Sequence, residues 1–285
     1  MVFRQLGRTG QQIPAIGQGT WRMGERRTED RQAIEALRLG IELGMTLIDT
    51  AEMYASGRAE ELVAQAVAGV REKVFLVTKV LPDHASYEGV LQAARDSLRR
   101  LRTEWIDLYL LHWPSDRYPL SETMRAMAQL VRDGLVRYVG VSNFSAAQVD
   151  EARQLLGEVP LVCNQVFYWL GQRAAELRLL PQCEKEGITL MAYSPLGGGR
   201  FVRPGTRRAQ VLERVARRVG ATPHQVALAW LLHRSPAVVT IPKAVRPEHV
   251  RQNARAADLA LSPQDLQELD QAFPVPATDE PLPVL

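Results

Sequence analysis

The chain carries 285 residues, 46% of them apolar, with a formal charge of +3 and a pI of about 9.0, so residues 1–285 fit one large α/β domain. Its arginines sit beside Asp or Glu along helix-like segments, which argues against a nucleic-acid footprint, and no apolar run approaches the ~18 residues of a membrane span. The N-terminus shows no leader-like apolar region and Cys163 and Cys183 stand apart in apolar contexts; we expect a cytoplasmic monomer or weak oligomer with buried thiols and no nucleic-acid or membrane partner.

Residues 2–13 read as a hairpin turning at Arg8-Thr9-Gly10. Short apolar, β-rich runs then fall at 15–21, 46–51, 74–80, 106–112, 136–142, 161–168, 188–196 and 238–243. Amphipathic helix-period segments follow them at 28–43, 59–69, 87–101, 120–133, 146–156, 174–186, 207–220 and 247–258. Gly44, Gly134, Gly187 and Gly220 fit left-handed helix exits. Two extra helices are expected at 223–233 and 262–273, the second capped by Ser262 with Pro263 and Asp265 in its first turn. The proline-rich tail, 274–285, should be extended.

Near-continuous apolar strands, each followed by a helix, imply a parallel sheet covered on both faces. Eight such units fit a closed (β/α)8 TIM barrel, with the N-terminal hairpin plugging its N-terminal end and the two extra helices outside the eight units. An open doubly wound sheet is the rival. It would offer GxGxxG after its first strand, whereas this chain has GQGTWRMG, whose third glycine is misplaced.

In a parallel barrel the C-terminal strand ends share one mouth. Three consecutive runs would bring Asp49 and Tyr54, Lys79, and His112 there. Lys79 is one of only four lysines among 35 basic residues. Unlike Arg, Lys carries a compact charge whose pKa can be shifted. Its ammonium should lower the Tyr54 phenol, which has an ordinary pKa of about 10. Asp49 could hold Lys79, and His112 could bind a substrate oxygen. Together these groups suit protonation of a carbonyl oxygen as hydride reaches its carbon. Singly, each is open to a plainer reading: helix cap, rim residue, surface lysine or packed histidine.

Later strand ends carry amides, hydroxyls and a flat ring: Ser142 and Asn143, Asn164 and Gln165, Tyr193 and Ser194. They suit a planar heterocycle bearing a carboxamide. Lys243 and Arg246 precede a helix N-terminus, a setting for phosphate. Gly197–Gly199 could admit a pyrophosphate or form a flexible loop.

The segments GMTLIDTAEMY with GRAEELV, TKV, LLHWP, VRYVGVSNF, AYSPLG and IPKAVRPEHVRQN resemble the aldo-keto reductases, in order and over nearly the whole chain. The resemblance, closest to compact bacterial members, implies a barrel that binds NADPH across its mouth. It implies a catalytic set of Asp49, Tyr54, Lys79 and His112, with Tyr54 as general acid. It places Ser142, Asn143 and Gln165 on the carboxamide and Tyr193 against the nicotinamide. Thr20, Trp21 and Asp49 also fall along the nucleotide. Ser194, Leu196 and Gly197 fall along its pyrophosphate. Lys243, Ala244, Val245, Arg246, His249, Gln252 and Asn253 fall around its adenosine phosphate. Trp21, Met53 and Trp113 would line the substrate pocket. The phosphate motif departs from the family at Ala244, commonly Ser or Thr, at His249, commonly Arg, and at Gln252, where Glu is frequent. NADH is therefore an alternative cofactor.

The reading is an NADP(H)-dependent reductase of small aldehydes or ketones, of the alcohol dehydrogenase [NADP+] type. Short loops, at 113–119 and in the tail, predict an open, shallow pocket for methylglyoxal-like ketoaldehydes, simple aromatic aldehydes or sugar-derived diketones. Two alternatives stand beside it: a nucleotide-binding regulatory subunit of the same fold, and a Schiff-base aldolase built on Lys79. No metal site is expected, because the five histidines include no His-x-His pair, and strands 4 and 7 lack the paired carboxylates of a glycosidase.

Overall fold

The computed structural model describes residues 1–278 and 282–284. A hairpin of β1 (Phe3–Gln5) and β2 (Gln12–Pro14) precedes an eight-stranded parallel sheet. Its strands are β3 (Gln18–Gly19), β4 (Leu47–Asp49), β5 (Phe75–Val80), β6 (Ile106–Leu111), β7 (Val136–Ser142), β8 (Leu161–Phe167), β9 (Thr189–Tyr193) and β10 (Val238–Thr240), paired in chain order. Closure joins the last strand to the first. Ile16 bridges Thr240 in parallel, and Gly17 N donates to Thr240 O and Gly19 N to Pro242 O. Only Gly fits at this seam, since a Cβ on Gly19 would lie 2.7 Å from Ile241 O. The run expected at 15–21 thus contributes two paired residues and one bridge.

The helices are α1 (Asp30–Glu42), α2 (Arg58–Ala66), α3 (Tyr87–Leu101), α4 (Leu120–Arg132), α5 (Ala146–Leu156), α6 (Leu179–Glu186), α7 (Arg207–Arg218), α8 (Pro223–Arg234), α9 (Pro247–Ala256) and α10 (Pro263–Ala272). The expected helix at 174–186 is divided. A 3-10 turn, Ala174–Glu176, precedes α6, and Pro181 falls in the first turn of α6, where its missing N–H costs nothing. Ser86, Ser145, Thr206, Thr222 and Ser262 cap α3, α5, α7, α8 and α10. The four glycines expected at helix exits all take positive φ.

Strand alternation sorts side chains into two cores. Leu47, Phe75, Val77, Leu108, Leu110, Cys163, Met191 and Val239 fill the barrel, with Leu6 and Ile13 from the hairpin among them. Ile48, Leu76, Val80, Tyr109, Leu111 and Val166 instead meet the helices. The hairpin is pinned near the strand starts, where Gly7 N donates to Thr189 Oγ1 at 2.9 Å. The hairpin thus supplies an apolar plug below, and the polar groups described next lie at the C-terminal mouth. Cys163 and Cys183 are buried free thiols. No helix among the described residues is long and apolar enough to cross a membrane.

Candidate active site

The alternation that sends Phe75 and Val77 inward also sends Lys79 inward. Asp49 pairs in register with Val77, and Lys79 with Leu110. These registers bring the strand-end groups into contact. Lys79 Nζ donates to Asp49 Oδ2 at 2.8 Å, to Thr50 O at 2.7 Å and to Tyr54 Oη at 3.3 Å. An ammonium has three N–H bonds, so all of them are used. Because Tyr54 Oη accepts from Lys79, its own hydrogen is left for another acceptor. The Tyr54 ring meets His112 edge-on, with centroids 5.8 Å apart.

Hydrogen-bond inventory fixes the charge of Asp49. Oδ2 accepts from Lys79, and Oδ1 accepts from Gln165 Nε2 at 2.7 Å. Both partners are donors, so the carboxyl is ionised. Burial pushes the Asp49 carboxyl up from its ordinary value, and Lys79 and Gln165 only partly offset it. Burial pulls the Lys79 ammonium down, but Asp49 and Tyr54 outweigh it and hold the group above its ordinary value. Burial and Lys79 together push His112 down to about 2. Its imidazole is neutral at physiological pH, and its buried Nδ1 makes no hydrogen bond with the described residues.

Tyr54 corrects an expectation. The neighbouring ammonium was expected to lower the phenol. Burial raises it, aided by Asp49, and outweighs the pull of Lys79. Tyr54 in the free protein therefore retains its proton firmly.

Above these groups lies a cleft that opens to solvent. Trp21, Met53 and Trp113 form one side, and Ser142, Asn143, Gln165, Tyr193 and Ser194 another. The backbone is strained around this rim. Arg22, Ala55, Ser56, Asn143 and Ser194 are non-glycine residues at φ between 46° and 66°, and such strain clusters at functional sites.

The amides on the second side are oriented by their partners. Asn143 Nδ2 donates to His112 O at 3.0 Å and Ser142 Oγ at 3.2 Å, while its Oδ1 accepts from the Tyr193 hydroxyl at 3.0 Å. Gln165 Nε2 donates to Asp49 and lies 3.0 Å from Met191 Sδ. Gln165 Oε1 and the second lone pair of Asn143 Oδ1 thus remain as acceptors beside the Tyr193 ring. Two acceptors and a flat ring match the amino group and heterocycle of a nicotinamide.

With this geometry in hand, comparison with known proteins is decisive. A model described as Aldo/keto reductase family matches residues 15–273. The chain belongs to the aldo/keto reductase family. This reductase is 46% identical over 264 residues to methylglyoxal reductase YeaE of Escherichia coli, covering 93% of this chain and 92% of that one. It is 33% identical to glyoxal reductase of Bacillus subtilis, covering 92% and 89%. A Klebsiella pneumoniae aldo/keto reductase crystallised with NADP and acetate superposes with a TM-score of 0.91 at 43% identity over 99% of both chains.

The remaining residues tied to the nucleotide by resemblance divide by burial. Lys243 lines the cavity. Thr20 is buried below it, its hydroxyl donating to Asp49 O at 2.9 Å. Leu196, Ala244 and Val245 pack partly against the core. Gly197 is buried at φ 79°, and a Cβ there would lie 3.1 Å from the Trp169 ring. Arg246 and His249 are exposed at the start of α9, while Gln252 is half-buried and Asn253 buried. None of these except Lys243 borders the cleft.

Three contacts escaped sequence reasoning. Thr50 O accepts a hydrogen bond from Lys79, Gln165 reaches Asp49 across the barrel, and Val284 lines the cavity. The described tail residues form neither helix nor strand and bend at 277–278; Leu282 packs on the main core and Val284 lines the pocket. The tail expectation at 279–281 and 285 lies outside the described residues.

Proposed function

We propose that this reductase converts small aldehydes and 2-oxoaldehydes to alcohols with NADPH, an activity of the alcohol dehydrogenase [NADP+] type, in the cytoplasm. The observation that carries the assignment of roles is the Lys79 ammonium with all three N–H bonds committed, one of them to Tyr54 Oη. A bound nicotinamide supplies the hydride. Tyr54 donates its proton to the carbonyl oxygen, and the adjacent ammonium stabilises the phenolate left behind. Asp49 keeps Lys79 charged and in place. Neutral His112 orients the substrate oxygen, and Trp21, Met53 and Trp113 flank the substrate.

The nicotinamide recess is Gln165 Oε1, Asn143 Oδ1 and the Tyr193 ring, whose donor and acceptor pattern fits a carboxamide. Lys243 and Arg246 serve the 2′-phosphate. The 2-oxoaldehyde class is supported by the named activities of the Escherichia coli and Bacillus subtilis relatives.

Steady-state reduction of methylglyoxal, with NADPH against NADH, tests the assignment. NADPH-dependent turnover is expected. Absence of turnover in folded, NADPH-binding protein, across a panel of small aldehydes, would count against it. Reductive trapping of substrate on Lys79 would favour the Schiff-base alternative, but an ammonium held above its ordinary pKa is a poor nucleophile.

A further inference from the structure

Gln165 is 1% exposed on β8, in register with Ser142 on β7 and Met191 on β9. Its side chain crosses the barrel to β4. There Gln165 Nε2 donates to Asp49 Oδ1 at 2.7 Å. That bond fixes the amide orientation and leaves Oε1 for the recess. One side chain therefore touches both the heterocycle recess and the carboxylate that holds Lys79.

We propose that Gln165 is a positioning residue for proton transfer, holding Asp49 ionised against Lys79 and thereby coupling the nucleotide recess to Tyr54. The inference rests on the reductase reading. Asp49 has two oxygens and two partners, so loss of the Gln165 donor leaves Oδ1 buried and unsatisfied. Burial already favours protonation of Asp49, and the Gln165 bond opposes it. Once protonated, Asp49 no longer offsets the burial of Lys79. The charge beside Tyr54 is then lost, and with it stabilisation of the phenolate. The other ionisable groups around Asp49 are Lys79 from β5, Tyr54 after β4, His112 after β6 and Cys163 on β8. His112 is neutral down to about 2, and burial raises the Cys163 thiol. Of this set, Asp49 is the group that the Gln165 bond touches.

Three proteins separate this role from simple nucleotide binding: wild type, Gln165→Leu and Gln165→Glu. Each is assayed for kcat at saturating NADPH from pH 4 to 10. Gln165→Leu removes a hydrogen bond to a charged group, so the acid limb of kcat should move up by about one to two pH units. Gln165→Glu places a second carboxyl against Asp49. Two buried carboxyls share one proton, so the glutamic acid can donate as the amide did. Its kcat near neutral pH should recover towards wild type and fail only at higher pH. A raised KM for NADPH with the acid limb unmoved in Gln165→Leu would overturn the proposal and leave Gln165 as a nucleotide contact alone. Gln165→Glu behaving like Gln165→Leu at neutral pH would also overturn it. The underlying reading fails separately, if Tyr54→Phe retains full reduction.

Discussion

At the ends of β4 to β6, Asp49, Lys79 and His112 are buried, and every Lys79 N–H has an acceptor. After β10, Lys243, Arg246 and His249 are exposed around the start of α9. The first region resembles a folded core whose contents happen to be charged, and it leaves little freedom in geometry. The second meets solvent, where charge is screened and side chains move. On the proposed reading, chemistry tied to atomic positions occupies the first, and discrimination between two nucleotides falls to the second. Substitutions should therefore act steeply at one rim and gradually at the other.

The steepest effect is expected for Tyr54→Phe. Only the hydroxyl is removed, while Lys79 and Asp49 keep each other. Positioned proton donors contribute ~10²–10⁴-fold, so kcat should fall by that factor with NADPH affinity little changed. Titration and single-turnover reduction measure the two separately. The pH sign follows from the raised phenol. Reduction needs the protonated form and should persist through neutral pH, declining only as pH rises through the Tyr54 pKa above the ordinary 10. Alcohol oxidation needs phenolate and should rise over the same range.

Lys79→Met should damage stability as well as rate. Removing one partner of a buried pair costs about 3–5 kcal/mol, so the thermal midpoint should drop by many degrees. Unpaired, the Asp49 carboxyl has a folded pKa well above its unfolded one. Its protonated form is stable at low pH, and stability is lost as pH rises through the folded pKa. The deficit should therefore shrink on acidification. A midpoint equal to wild type at pH 8 would show that Asp49 and Lys79 do not depend on each other.

His112 has the opposite sign. Its folded pKa lies near 2 against an ordinary 6.5. Below about pH 6.5 the unfolded chain binds a proton that the folded protein refuses. Each further pH unit then costs up to about 1.4 kcal/mol from this group. His112→Gln should flatten the acid side of the stability curve, and ring NMR signals of His112 should not titrate between pH 4 and 8. Ordinary titration near 6.5 would mean that the ring meets water and that the mouth is less dry than drawn.

These four groups were visible in the sequence because barrel parity is a local property. Lys79 two residues beyond Val77, and Asp49 two beyond Leu47, must face inward if their neighbours do. The eight strands were visible for the same reason. The bond from Gln165 to Asp49 was not, since it joins positions 116 apart across the barrel, and no spacing encodes which amide reaches which carboxylate. The sign of the Tyr54 shift was missed because proximity to Lys79 can be guessed while depth of burial cannot. Val284 at the mouth depends on a tail path held by packing of Leu282, not by any helix or strand pattern.

The smallest effects belong to the far rim. Lys243→Ala removes one exposed cation, and exposed ion pairs are worth about 0.2–1 kcal/mol. The dissociation constant of NADPH should rise by ~1.4- to 5-fold, while that of NADH stays constant. His249→Arg adds a permanent guanidinium charge in the first turn of α9, and should tighten NADPH by a similar factor. Both changes should fade as salt rises, because the groups lie in solvent. Tryptophan quenching at low and high salt reads them directly. Equal weakening of NADH by Lys243→Ala would place that lysine on a part common to both nucleotides, and selection of the 2′-phosphate would then fall to Arg246 alone.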